Sequence, residues 1–201
     1  MKLSDYLKWL KANWPMAGLV LAFYLTIFLL VFVRPVNLPV FLILLQTPLY
    51  LLHEAEEYIF PGGFLRFFNR DIFRMPHDDE PLDENFSFWV NILLIWVLLP
   101  LFGFLSLANL NLGLWVPYFT IFAGVSHIAM AIKARKRYNP GLIVSLVLNI
   151  PAGSAVVWYL YTAGILASPF VNIHILIGLG LNLLLPVIGA IKFNGYKRKH
   201  G

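Results

Sequence analysis

A chain of 201 residues that is 60% hydrophobic, 16% aromatic and only 12% charged, with a mean hydropathy of +0.76, is too apolar for a water-soluble domain and reads as an integral membrane protein. It contains no cysteine, which excludes disulfides, thiolate metal sites and cysteine nucleophiles together and leaves His, Asp, Glu, Ser, Tyr or Asn for any chemistry. The formal charge of +5 is explained by where the basic residues fall, so nucleic acid is not needed as a partner.

A bilayer core about 30 Å thick asks for about 20 apolar residues per helix, and the chain offers six such stretches. The expected fold is an all-α membrane bundle of about six transmembrane helices, a single domain over residues 1–201 with spans at about 16–33, 38–60, 88–107, 114–132, 141–161 and 170–191. Span one follows Lys2, Lys8 and Lys11 and lacks a small-residue cleavage site, so it reads as retained and not as a signal peptide. Span two, Leu38 to Phe60, ends on His53-Glu54-Ala55-Glu56-Glu57, with Pro48 one turn earlier to bend or loosen the helix. The connection from Pro61 to Ser87 then changes character halfway. Phe64, Phe67, Phe68 and Phe73 alternate with Arg66, Arg70 and Arg74, which predicts a short interfacial helix. Asp78, Asp79, Glu80, Asp83 and Glu84 follow as a solvated acidic loop. Lys133, Arg135, Lys136 and Arg137 follow span four, and Lys192, Lys197, Arg198 and Lys199 follow span six, whereas the alternate connections carry only Arg34. By the positive-inside rule both termini and the two basic connections are cytoplasmic.

Given that topology, a rise of 1.5 Å per residue assigns depths. His53 lies about 22 Å from the outer end of span two, His127 about 20 Å along span four, and Asn149 and Asn182 about 18 Å from the outer face. Four helices thus place polar residues in one layer in the cytoplasmic half, with Asn91 close to the depth of the glutamates. His174, about 6 Å from the outer end, lies outside it. On span two, Gln46, Tyr50, His53, Glu56 and Glu57 share a face by i, i+3, i+4 spacing, while Glu54 points elsewhere and reads as a peripheral charge.

Ionisable groups are costly at bilayer depth, so this cluster is a functional-site hypothesis. His53 and Glu57 at i, i+4 can hold one metal from one helix face, and His127 would complete two histidines and one carboxylate with an open position, a set used by catalytic zinc and by non-haem iron. The expected roles are therefore metal ligands for His53, Glu57 and His127, acid or base for Glu56, and support or substrate contact for Asn91, Asn149 and Asn182. A divalent zinc or iron ion is the expected cofactor, and the partners are the bilayer and a lipid-like substrate. Five histidines are too few for the histidine boxes of membrane desaturases. The buried carboxylates come from one helix, against a ferritin-like di-iron site.

The residues His53, Glu56 and Glu57, in the context His53-Glu54-Ala55-Glu56-Glu57-Tyr58 followed by Pro61-Gly62-Gly63-Phe64, resemble the HXXEE-domain family of small multi-span membrane proteins. His127 and the turn Arg137-Tyr138-Asn139-Pro140-Gly141 carry the second half of the likeness, which covers about the second to fifth spans. What the resemblance implies is the site, without a particular reaction. Three functions stay open: a metal-dependent enzyme of hydrolytic or isomerising type acting on a lipid-like substrate at the cytoplasmic leaflet, a small proton-coupled transporter, and a non-catalytic binding or scaffold protein.

Overall fold

The computed structural model describes residues 2–200, with side chains through Lys199. Seven helices organise them: α1 Leu3–Val33, α2 Leu38–Tyr58, α3 over residues 64–72, α4 Glu84–Leu105, α5 Leu110–Ala134, α6 Leu142–Thr162 and α7 Ile173–Lys199. All but α3 are long and apolar enough to cross a membrane, so the fold is an all-helical multi-pass membrane bundle. No strand occurs among the described residues.

Local chemistry sets the helix ends. Asn37 Oδ1 accepts from the Val40 amide (3.1 Å) and Pro39 occupies the first turn, so α2 starts at Leu38. Asp83 Oδ1 accepts from the Phe86 amide (2.7 Å), which starts α4 at Glu84, earlier than apolarity alone predicts. α1 likewise begins at Leu3 and not near Met16, because the intervening lysines favour helix and can do so beyond the apolar core. α5 ends on Arg135 in the left-handed region (φ 55°), and Gly141 (φ 96°) leads into α6.

α2 and α5 form the middle of the bundle. α1 and α4 pack on α2, while α6 and α7 pack on α5, and α6 also reaches α2. The shared core draws Ile43, Tyr50 and Leu51 from α2, Ile95 and Leu99 from α4, Trp115, Phe119 and Ala123 from α5, and Val156, Val157 and Leu160 from α6. This arrangement corrects the expectation for Glu54. Far from being peripheral, it is fully buried, because α1 and α4 cover its side of α2, and the Trp96 indole N–H donates to Glu54 Oε2 (3.1 Å).

Charged contacts gather the basic segments at one end of the bundle. Lys11 Nζ donates to Asn85 Oδ1 (2.8 Å), Lys136 Nζ to Asp71 Oδ2 (2.7 Å), and Lys192 lies 3.7 Å from Asp83. The connection between α2 and α4 closes over this end. α3 forms where the Phe and Arg alternation predicts, with its buried Phe64 and Phe68 turned onto Leu82, Met130 and Leu185. Asn69, fully buried, ties the connection together by donating to the carbonyls of Asp78 (2.9 Å) and Leu82 (2.8 Å) and accepting from the Leu82 amide (3.1 Å). Asp78, Asp79, Glu80, Asp83 and Glu84 are exposed as expected, with Asp78 paired to Arg70 and Arg66. The Arg70 guanidinium holds the Asp78 carboxyl below its usual range.

Candidate metal centre and its cavity

One turn of α2 separates His53 from Glu57, so both side chains project from the same face. Glu57 Oε1 lies 3.5 Å from His53 Nε2 and 3.2 Å from His127 Nε2, which reaches across from α5. All three residues are buried, and one ligand atom from each falls within 4.8 Å of the others. The imidazoles meet edge to face, with ring centroids 4.6 Å apart and planes at 80°. Two helices therefore bring together the three residues expected as ligands.

Whether these atoms suit a metal depends on where the ring protons sit. Asn139 Nδ2 donates to the His127 carbonyl (2.9 Å), which fixes the amide so that its oxygen faces His127 Nδ1 at 2.7 Å. An amide oxygen only accepts, so His127 Nδ1 carries a proton, which leaves Nε2 as the ring nitrogen available to a metal. His53 Nδ1 lies 3.4 Å from Ser145 Oγ, while His53 Nε2 is buried without a hydrogen-bond partner. A buried imidazole nitrogen in that state is costly unless something completes it. The donor set fits a divalent ion of the zinc or iron type: two imidazole nitrogens and one carboxylate oxygen converge, with room for further ligands.

The turn from α5 into α6 encloses the centre. Gly141 packs directly against both rings: a Cβ there would lie 2.5 Å from His127 Cε1 and 2.8 Å from His53 Cε1, and its φ of 96° independently favours glycine. Glu56, expected as the acid or base, has both oxygens engaged by this turn. Oε1 accepts from the Tyr138 hydroxyl and the Ile143 amide (both 3.1 Å), and Oε2 accepts from the Val144 amide (2.7 Å). A carboxylate on the first free amides of α6 also sits at the positive end of that helix. Burial and the adjacent Glu56 charge push the Tyr138 hydroxyl above its ordinary range, so it stays a proton donor.

A cavity of about 280 Å3 adjoins the centre, walled by α2, α4, α5, α7 and the α3 connection. Glu57 and His127 face it, together with Asn91 and Asn182, two of the three expected supporting asparagines. Asn91 Nδ2 donates to the Tyr58 hydroxyl (3.2 Å) and the Ser87 carbonyl (2.9 Å), and Ser126 Oγ donates to Asn182 Oδ1 (2.7 Å). His53, Glu56 and Asn149 lie outside the cavity wall. Asn149 is buried in α6 on a π-helical stretch, Ser145–Asn149, with neither side-chain polar atom partnered. π-helical turns are often found at functional sites, and this one carries the serine beside His53. His174 sits near the start of α7, away from the centre.

Sequence reasoning gave no role to four contributors, Tyr138, Asn139, Gly141 and Ser145, although the family likeness singles out the run that holds the first three. Three of them fall within the run Arg137-Tyr138-Asn139-Pro140-Gly141, whose signal was an Asn-Pro-Gly turn opening an apolar span.

The family described as "Protein of unknown function with HXXEE motif" matches residues 44–159, from within α2 to within α6. The "Uncharacterized protein YrkK" of Bacillus subtilis (strain 168) is 27% identical over 117 residues, covering 54% of this chain and 73% of its own length. No solved structure matches the chain. The protein belongs to the HXXEE family, and the residues that give the motif its name, His53, Glu56 and Glu57, divide their work between a potential metal centre and the start of the helix that closes over it.

Proposed function

We propose that the protein is a membrane-embedded, metal-dependent enzyme acting on a lipid-like substrate at the cytoplasmic leaflet. One observation carries this reading: buried ligand atoms from His53, Glu57 and His127 converge, and two of the three residues, Glu57 and His127, line a largely apolar cavity. His53, Glu57 and His127 would hold a zinc or iron ion, which when bound would supply Lewis-acid polarisation of a carbonyl or phosphoryl oxygen, chemistry suited to hydrolysis or isomerisation. Tyr58 and Asn91 form a hydrogen-bonded pair in the cavity wall, where they orient a substrate oxygen. Asn182, set by Ser126, contributes a second polar contact from α7. Glu56 holds the α5–α6 turn in place, so Asn139 and Gly141 are presented to the imidazoles. Asn149 is assigned to α6 packing beside the centre. The basic end of the bundle faces the cytoplasm, as the positive-inside rule requires.

Metal analysis of detergent-purified protein tests the reading. We expect about one zinc or iron per chain in the wild type and affinity at least about a hundredfold weaker in His53→Ala, Glu57→Gln and His127→Ala. Metal-free wild type after growth in metal-replete medium, or metal that survives all three changes, removes the enzyme reading in this form.

A second reading rests on different atoms. Gln46 Oε1, Thr47 Oγ1 and both polar atoms of Asn149 are buried without partners on α2 and α6, and a proton-coupled carrier would use such groups as a hydrated path away from the centre. Flux into proteoliposomes that depends on Glu57 and persists without metal favours this carrier. Full cellular function in a triple His53, Glu56 and Glu57 variant favours a scaffold over both.

A further inference from the structure

Lys133 is the one lysine or arginine among the described residues that lines the cavity, and no ion pair engages its ammonium there. Lys136 is paired with Asp71, Lys192 with Asp83, and Arg66 and Arg70 with Asp78, but no acidic group or acceptor engages Lys133 among the described residues. It stands at the end of α5 that the apolar wall leaves open. The cavity-lining residues that are exposed are Ala129, Lys133 and Pro186, which marks an opening between α5 and α7.

From that opening the wall changes character in one direction. Along α5 the cavity face runs from Lys133 through His127 to Ala123 and Phe119. By helical rise, Lys133 is about 9 Å from His127 along the axis, and Phe119 is about 12 Å beyond His127 on the other side. The far end is closed by buried Tyr50, Ile95 and Phe119. The order along the cavity is therefore cation, polar centre, apolar blind end. A volume of about 280 Å3 lies just below the range of about 300–1,000 Å3 for ligand pockets. It suits one hydrocarbon chain and not two.

We propose that the cavity binds a single-chain amphiphile with an anionic head group, entering between α5 and α7, with the head on Lys133 and the chain running past the His53–Glu57–His127 centre toward Phe119. The inference rests on the membrane-enzyme reading for what becomes of the lipid, and on the cavity alone for which lipid is held. Lys133 and Ala123 are then specificity-determining residues: the first selects the charge of the head group, the second the length of the chain. A lysine stem can lie along apolar surface while its ammonium reaches the head-group layer, which suits this position.

A dodecyl phosphate probe with a diazirine at the chain terminus tests the proposal on the full chain in phosphatidylcholine nanodiscs. Photolabelling is expected on peptides containing Ile95, Phe119 or Ala123, and it is expected to be displaced by dodecyl phosphate and not by dodecanol, dodecyltrimethylammonium or inorganic phosphate. Lys133→Ala is exposed and not expected to disturb folding; it should weaken labelling about tenfold, equivalent to about 1.4 kcal/mol. Ala123→Phe should remove labelling by the dodecyl probe while a hexyl phosphate probe with the same terminal diazirine still labels the variant near the opening. His53→Ala separates the two readings, because it alters the centre without touching the cavity wall: labelling should persist there even as metal is lost. Labels spread over the outer faces of α1 and α7, unchanged labelling in Lys133→Ala, or displacement by inorganic phosphate alone would overturn the proposal.

Discussion

The inner and outer helices of this bundle solve different problems. In α2 and α5, 61% and 56% of the membrane-spanning window is buried, against 17% in both α1 and α7. The inner pair carries His53, Glu56, Glu57 and His127, whereas the outer pair presents large apolar side chains such as Phe23 and Leu176 to its surroundings. The family match, residues 44–159, spans the inner pair with α4 and most of α6, and leaves α1 and α7 outside. Polar groups become tolerable at membrane depth only where other helices supply their partners, so a site of this kind requires a sheath. The outward faces of the outer helices need only be apolar, whereas the inner helices, and the few inward positions of the outer ones such as Asn182, must match their neighbours atom by atom.

Substitutions that sharpen this contrast fall in a clear order. Gly141→Ala combines a strained backbone, about 1–2 kcal/mol, with overpacking against two imidazoles, about 1–3 kcal/mol. A clearly lowered unfolding temperature in detergent is expected, with metal content falling in parallel; an unshifted temperature would show that the turn can move away from the rings. Asn139→Ala should leave the bundle folded but lower metal affinity about 10–100-fold, since His127 loses the acceptor that fixes its tautomer. A metal competition titration with a chromophoric chelator reads that change directly.

Glu56→Gln removes the charge from three hydrogen bonds while keeping the shape, for a loss of about 1.5–3 kcal/mol. The discriminating measurement is metal content once the variant is folded at low temperature. Retained metal supports a positioning role for Glu56, whereas normal stability with abolished turnover would return it to proton transfer. At the small end, Phe23→Ala and Leu176→Ala on the outer helices should each change stability by no more than about 0.5 kcal/mol. A loss of several times that size would mean these faces are covered by protein and not by lipid, and the division between inner and outer helices would fail.

Much of the architecture could be read from the chain because membrane spans are written as long apolar runs with basic flanks. His127, the partner of His53 and Glu57, was also accessible, since depth along a helix is a one-dimensional quantity and His127 shares their level. Lateral position is not one-dimensional, and there the reading gave out. Glu54 has the same polarity and nearly the same depth as its neighbours, and nothing in the sequence says that α1 and α4 cover its side. Glu56 stands one residue from Glu57, yet its partners are amides of α6, fixed by a turn whose path only the folded chain specifies. Asn139 and Gly141 were visible as turn formers, a description that gives no hint of the imidazoles they touch.

The adjacency of Glu56 and Glu57 ties two equilibria together. One carboxylate stabilises the first turn of α6 and the next belongs to the histidine cluster, and both hang from the same rigid turn of α2. Any displacement of Glu57 is thus felt at the amides of Ile143 and Val144, and fraying of α6 is felt at the cluster. By reciprocity, whatever occupies the cluster changes the opening free energy of α6 by the same amount that order in α6 changes occupancy. Hydrogen exchange at those two amides becomes a remote gauge of the centre, legible without any knowledge of the substrate.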